Sequence, residues 1–169
     1  MGLRILCVSA AAVALAVVTA SAQTKTTMSG KCNKADVQQS IPAGDLQGHV
    51  FMLAQGKCTV TGDVSGAAGK EGAYSSHSEA TPTHLKEWGV YTVTFDNGDK
   101  IYYNYQGVGT MKDGALQSET NKYQIASGTG KMKDLKGSGG CKLTGTSDGG
   151  VDYSCSGEYT SGGAAMAKP

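Results

Sequence analysis

The chain has 169 residues and a formal net charge of +1, from 15 basic and 14 acidic side chains. That balance lacks the basic excess of a nucleic-acid binder, and no polybasic or acidic tail points to adhesion on a membrane surface. Glycine, at 25 residues, punctuates short runs of Thr, Ser, Tyr and Val, a pattern that argues against helical folds and for an antiparallel sandwich or barrel.

The first 22 residues read as a secretory signal. Arg4 supplies a positive start, Ile5 to Val18 is an almost unbroken apolar run, and Ala20-Ser21-Ala22 is an A-x-A cleavage site. The apolar run falls short of the roughly 20 residues that a membrane span needs. A periplasmic or secreted protein is expected, with no membrane span once the leader is gone. Cys7 leaves with the leader and lies too early in it to become a lipid-modified terminus. Residues 23–159 are expected to form one domain, and 160–169 a flexible tail.

Four cysteines remain, Cys32, Cys58, Cys141 and Cys155. An even number in an oxidising compartment implies disulfides, with three pairings open. Asp148-Gly149-Gly150 is a turn signal near the middle of 141–155, so Cys141 and Cys155 fall opposite each other on a hairpin. That favours Cys141–Cys155 with Cys32–Cys58. No cysteine pair has C-x₂₋₄-C spacing and the three histidines are scattered, so no zinc site is expected. No cofactor is expected either.

In chain order, Gln23–Gly30 reads as a polar lead. Val37–Ile41 is a strand stopped by Pro42-Ala-Gly44. His49–Ala54 is strand-like, and Lys57–Thr61 continues it. Gly62–Gly72, rich in Gly, Ala and Ser, reads as a loop, and Tyr74–Ala80 as a polar strand ended before Pro82. Gly89–Phe95 and Lys100–Tyr105 are joined by Asn97-Gly98, the strongest short-range hairpin signal. Gln117–Ala126 is a further strand, broken by Gly128-Thr-Gly130. Lys131–Lys136 reads as a helical turn or charged loop. Gly137–Gly140 leads into Cys141–Thr144, and Val151–Tyr159 is the last strand. The total is about eight, enough to close a barrel without open edges.

A two-residue loop at Asn97-Gly98 pairs Phe95 with Lys100 and Val93 with Tyr102. One face then holds Tyr91, Val93, Phe95, Tyr102 and Asn104. The other holds Val90, Thr92, Thr94, Ile101, Tyr103 and Tyr105. Both faces are substantially apolar or aromatic, whereas a sheet with one wet face alternates more cleanly. Contact on both sides is therefore expected: a barrel interior on one, and a covering segment or second protomer of a homo-oligomer on the other. Trp88, Tyr91, Tyr102, Tyr103 and Tyr105 are the candidate ligand-binding residues, because tyrosine combines a large apolar body with a polar tip.

Other motifs have plainer readings. Ser127-Gly-Thr-Gly-Lys131 lacks the first glycine of a phosphate loop and has Met132 where Ser or Thr belongs; it reads as a tight turn. Asp96-Asn-Gly-Asp99 offers too few oxygens for calcium. Ser75, His77 and Glu79 share one side of a strand, but same-parity neighbours lie about 7 Å apart, too far for a nucleophilic triad. They form a solvated face or line a cavity. Lys131, Lys133, Lys136 and Lys142, interrupted by Asp134, make a local basic loop.

Two stretches, Thr92-Val-Thr-Phe-Asp-Asn-Gly-Asp-Lys-Ile-Tyr102 and Ile125-Ala-Ser-Gly-Thr-Gly-Lys-Met-Lys-Asp-Leu-Lys-Gly-Ser-Gly139, resemble the allene oxide cyclase-like barrel superfamily, which includes plant dirigent proteins. The second is similar to that group's Gly-Gly-Thr-Gly-Lys-(aromatic)…Gly signature, with Ser127 in place of a glycine and Met132 in place of the aromatic. The resemblance covers roughly residues 48 to 160. It implies an eight-stranded antiparallel barrel, often oligomeric, with an apolar cavity for small hydrophobic molecules. It carries over no catalytic residue.

Three functions follow as expectations. The first is an exported module that binds a small apolar ligand or a protein partner, with no identifiable catalytic machinery. The second is a cyclase or isomerase of allene oxide cyclase type, and the third a structural envelope protein. An isomerase should hold an ionisable group such as Glu79, Glu87 or Glu119 in an otherwise apolar cavity. A carrier's cavity can lack one, and a structural protein should have no cavity of ligand size.

Overall fold

A computed structural model describes residues 23–161. The expected leader, residues 1–22, lies outside the described residues, as does the expected tail from 162 onward; Thr160 and Ser161, expected in that tail, belong instead to the last strand and pair with Lys136 and Leu135. Ten strands form: β1 (Thr24–Cys32), β2 (Val37–Pro42), β3 (Val50–Cys58), β4 (Thr61–Val64), β5 (Ala67–Ala80), β6 (His84–Phe95), β7 (Lys100–Lys112), β8 (Ala115–Gly128), β9 (Leu135–Gly145) and β10 (Val151–Ser161). One 3₁₀ turn, Gly130–Met132, separates β8 from β9. The all-β expectation holds.

The sheet is antiparallel and closes on itself. Its order is β10-β9-β8-β7-β6-β5-β4-β1, and β1 pairs back onto β10 from Thr24↔Tyr159 to Cys32↔Val151. The result is a barrel-like ring through eight strands. β3 continues the line of β4, and β2 that of β1, so β1–β2 run antiparallel to β3–β4 as one interrupted hairpin. β2 has all six residues exposed and pairs with β3 alone.

Closure is uneven around the ring. β9 and β10 share eleven paired positions. Across the seam between β1 and the β3–β4 line there are three: Cys32↔Cys58, Ser29↔Thr61 and Met28↔Gly62. Both disulfides form as the sequence favoured, Cys32–Cys58 and Cys141–Cys155. Each joins directly opposed residues of neighbouring strands, and the first sits on the weak seam.

Three expectations need correction. Gln23–Gly30 is not a lead, because Thr24 onward pairs with β10 and closes the ring. Gly62–Gly72 is mostly strand: Val64 and Ala67 are buried, and Gly69 lets Val60 pack where a Cβ would lie 2.5 Å from it. Small residues here mark tight packing of strand on strand, which composition alone does not separate from a loop. The Asp96–Asp99 hairpin has a three-residue loop. Phe95 pairs with Asp99 through N–H to Asp99 O at 2.9 Å, and Gly98 takes a left-handed conformation at φ 83°. That loop type shifts the register by one residue, so Val93 faces Ile101 and Tyr91 faces Tyr103.

The ring is solid at one end. Val64, Val93, Phe95, Ile101 and Met132 are all under 2% exposed and pack together there. The two stretches that carry the family resemblance meet beneath this plug. Lys131 N–H donates to Asp99 Oδ2 (3.0 Å), and Lys100 N–H donates to Thr129 Oγ1 (2.8 Å). Asp99 N–H donates to Asn97 Oδ1 (2.9 Å). The Gly-Thr-Gly-Lys segment is thus a lock on the hairpin, and it delivers Met132 into the floor. At the opposite end the ring is hollow.

Candidate functional site

β7 contributes Tyr103, Tyr105 and Met111 to the wall of the hollow. Its inward positions run Ile101, Tyr103, Tyr105, Gly107, Gly109, Met111, since alternate residues of a strand share a face. Bulk gives way to glycine halfway up, and Glu119 and Leu116 of β8 take the space over Gly107 and Gly109. The interior above Tyr103 is a cavity of about 410 Å³, within the usual size range for a small organic ligand. It opens between the β7–β8 turn at Gly114, the β9–β10 turn at Thr146–Gly150, and Lys34 on the β1–β2 linker.

Tyrosines form the wall, and each lies flat because a glycine stands beside it. Tyr74 covers Gly56, Tyr91 covers Gly72, Tyr105 covers Gly89, Tyr123 covers Gly139, and Tyr153 covers Gly30; a Cβ on any of these glycines would meet the ring or its hydroxyl within 2.7 Å. Four of these pairs are direct cross-strand neighbours. Five of the chain's 25 glycines are explained here: the rings fill the space over their absent side chains. Gly56→Ala should therefore swing the Tyr74 ring into the cavity and lower stability by about 1–3 kcal/mol. Chemical denaturation measures this, and an unchanged midpoint would contradict the packing.

The hydroxyls are placed. Tyr153 donates to Thr59 O (2.9 Å), which leaves its oxygen to accept from Tyr91 (3.0 Å). Burial raises the phenols of Tyr91, Tyr103 and Tyr105 above their ordinary value, with the Glu87 carboxyl adding to it at Tyr105. These groups stay neutral and serve as hydrogen-bonding walls.

Two carboxyls enter this space, Glu87 from β6 and Glu119 from β8. Gly107 lies between them, paired with Glu87 on one side and Asn121 on the other. Glu119 leans over it: a Cβ on Gly107 would fall 2.1 Å from Glu119 Oε1. Tyr105 donates to Glu87 Oε1 at 2.5 Å. Burial raises the Glu87 carboxyl, against the lowering effect of that bond. Burial, and then the nearby Glu87, push Glu119 up to about 8. Glu119 is 4% exposed. Its Oε1 and the Asn121 Oδ1 are both buried without a hydrogen-bond partner.

The structure divides the expected site residues. Tyr91, Tyr103 and Tyr105 line the cavity. Trp88 and Tyr102 do not. The one-residue register shift carries Tyr102 to the outside with Thr92, and Trp88 stacks on His77 at 5.4 Å on the outer face. Ser75, His77 and Glu79 also lie outside, where His49 sits between Asp45 Oδ1 (2.7 Å) and Glu79 Oε1 (3.2 Å). Outside too are the exposed Phe51, Leu53, Trp88 and Val90, so the hairpin's second apolar face is an outer surface. Asn121 and Gly107 were not singled out from the sequence. Their signal was parity: once Tyr123 and Tyr105 point inward, Asn121, Glu119 and Gly107 follow. No group of metal-binding side chains occurs among the described residues, and no helix among them is long and apolar enough to cross a membrane.

No family model matches the chain, and no curated protein does. Among solved structures, a dirigent protein described as a pterocarpan synthase is similar over 89% of this chain and 99% of its own, at 13% identity and a TM-score of 0.44.

Proposed function

We propose that this is an exported eight-stranded barrel that binds a small, mainly apolar molecule in its hollow end. The observation that carries the reading is the cavity of about 410 Å³ walled by tyrosines held flat against glycines. A purely structural barrel would fill that space with side chains. The two disulfides support an oxidising compartment, since such bonds are rare in reducing ones. Titration with the neutral dye N-phenyl-1-naphthylamine should give saturable binding at one site. Ser76→Phe, which fills the cavity, should abolish it, and Trp88→Ala should leave it unchanged. Dye binding that survives Ser76→Phe and is lost in Trp88→Ala would put the site on the outer face and end the reading.

The Glu87–Glu119 pair favours a second reading, an isomerase or cyclase. With its carboxyl pushed up to about 8, Glu119 is protonated at neutral pH and can donate a proton to bound substrate. Glu87, steadied by Tyr105, is placed to accept one. Two carboxyls in differing surroundings are the arrangement by which one site gives and takes protons. Glu79 has no part in it.

A further inference from the structure

We propose that the cavity selects a small organic cation: an ammonium group on an apolar body of roughly aromatic size. This rests on the reading of the cavity as a ligand site and names its ligand class. Three observations converge on it.

The first is a deficit of donors. Glu119 Oε1 and Asn121 Oδ1 are buried without a hydrogen-bond partner, and both accept once Glu119 is ionised. A buried acceptor left bare is costly, and a ligand that brings N–H groups to it recovers that cost. An ammonium brings up to three, with no acceptor of its own to satisfy.

The second is charge. Glu87 and Glu119 both face the cavity, and the basic side chain on its lining, Lys34, is exposed at the rim. A cation seated in the cavity against Glu119 and Glu87 would favour their ionised forms. A carboxylate ligand would meet them with like charge. The titratable groups that face Glu119 are Glu87 from β6 and Tyr105 from β7, while its β9 neighbours, Leu143 and the bridged Cys141, do not titrate.

The third is the wall. Tyr103 and Tyr123 meet edge to face at 5.3 Å, and Tyr91 and Tyr153 at 6.1 Å. Rings packed this way present π-faces as well as edges to the interior. Faces of aromatic rings attract organic cations most strongly where water is excluded. Gly107 and Gly109 give Glu119 and Leu116 the room to lie against β7, which holds the Glu119 carboxyl at the cavity wall.

The test uses three probes of one shape and different charge, 2-phenylethylamine, 2-phenylethanol and 3-phenylpropionate, titrated calorimetrically into the oxidised protein at pH 7. The amine should bind at least about tenfold more tightly than the alcohol, and the propionate most weakly. Glu119→Gln should erase most of that preference while the alcohol's affinity stays the same within about twofold. Equal or tighter binding of the alcohol would overturn the proposal. So would an amine preference that persists in Glu119→Gln combined with Glu87→Gln. If none of the three binds while the neutral dye does, the cation inference falls and the ligand site stands. If the dye fails as well, both fall.

Discussion

Reduction of both disulfides is expected to lower stability by roughly 6 kcal/mol, about 3 from each bridge, on the chain-entropy account of cross-links. The loops are independent, closing 26 and 14 residues of separation. Much of the few kcal/mol that keep a domain of this size folded would be lost. The two bridges are not equivalent in place, however. Cys141–Cys155 joins strands that already share eleven paired positions, whereas Cys32–Cys58 supplies one of three pairings across its seam. Replacing Cys32 and Cys58 by serine should therefore cost more than replacing Cys141 and Cys155. It should also speed amide exchange in β1 and β3 first. Urea denaturation of the two double variants, with exchange read by mass spectrometry, decides the matter. A larger loss in the Cys141/Cys155 variant would mean that closure does not depend on the seam.

The second large effect concerns pH. Glu119 is held at about 8 in the folded protein against an ordinary value of 4.5. Below the ordinary value the carboxyl is neutral whether the chain is folded or not, and its contribution is fully present. As pH rises toward 8 the unfolded chain loses its proton and the folded one keeps it. Stability then falls by on the order of 1.4 kcal/mol per pH unit, until the folded carboxyl ionises too. Glu87, also raised by burial, acts in the same direction. Glu119→Gln has no proton to lose, so it should match the parent near pH 4.5 and exceed it by several kcal/mol at pH 8. Parallel stability curves for parent and variant would show that the carboxyl is solvated rather than buried. A bound organic cation should partly reverse the parent's decline at pH 8, because it stabilises the ionised form.

Residue spacing alone made the all-β class, the paired cysteines and the aromatic hairpin visible. Asp148-Gly149-Gly150 placed Cys141 opposite Cys155 because a local turn dictates a local register. The same kind of inference failed at Asp96–Asp99. A turn of two residues and one of three contain the same Asn-Gly pair, yet they differ by one place in register. That single step sent Tyr102 outward and brought Tyr103 inward alongside Tyr91.

What the amino-acid order determined by itself was local: where strands run, where the chain turns, and which cysteines fall opposite one another. The tertiary structure alone decided that Gly107 would leave room for Glu119, that tyrosines would lie over glycines of the next strand, and that one end of the ring would be plugged by Met132 while the other stayed hollow. The physical reason is range. Strand propensity and turn chemistry act over a few residues, whereas the cavity is bounded by strands from Thr24 to Ser161 whose faces are assigned only when the ring closes.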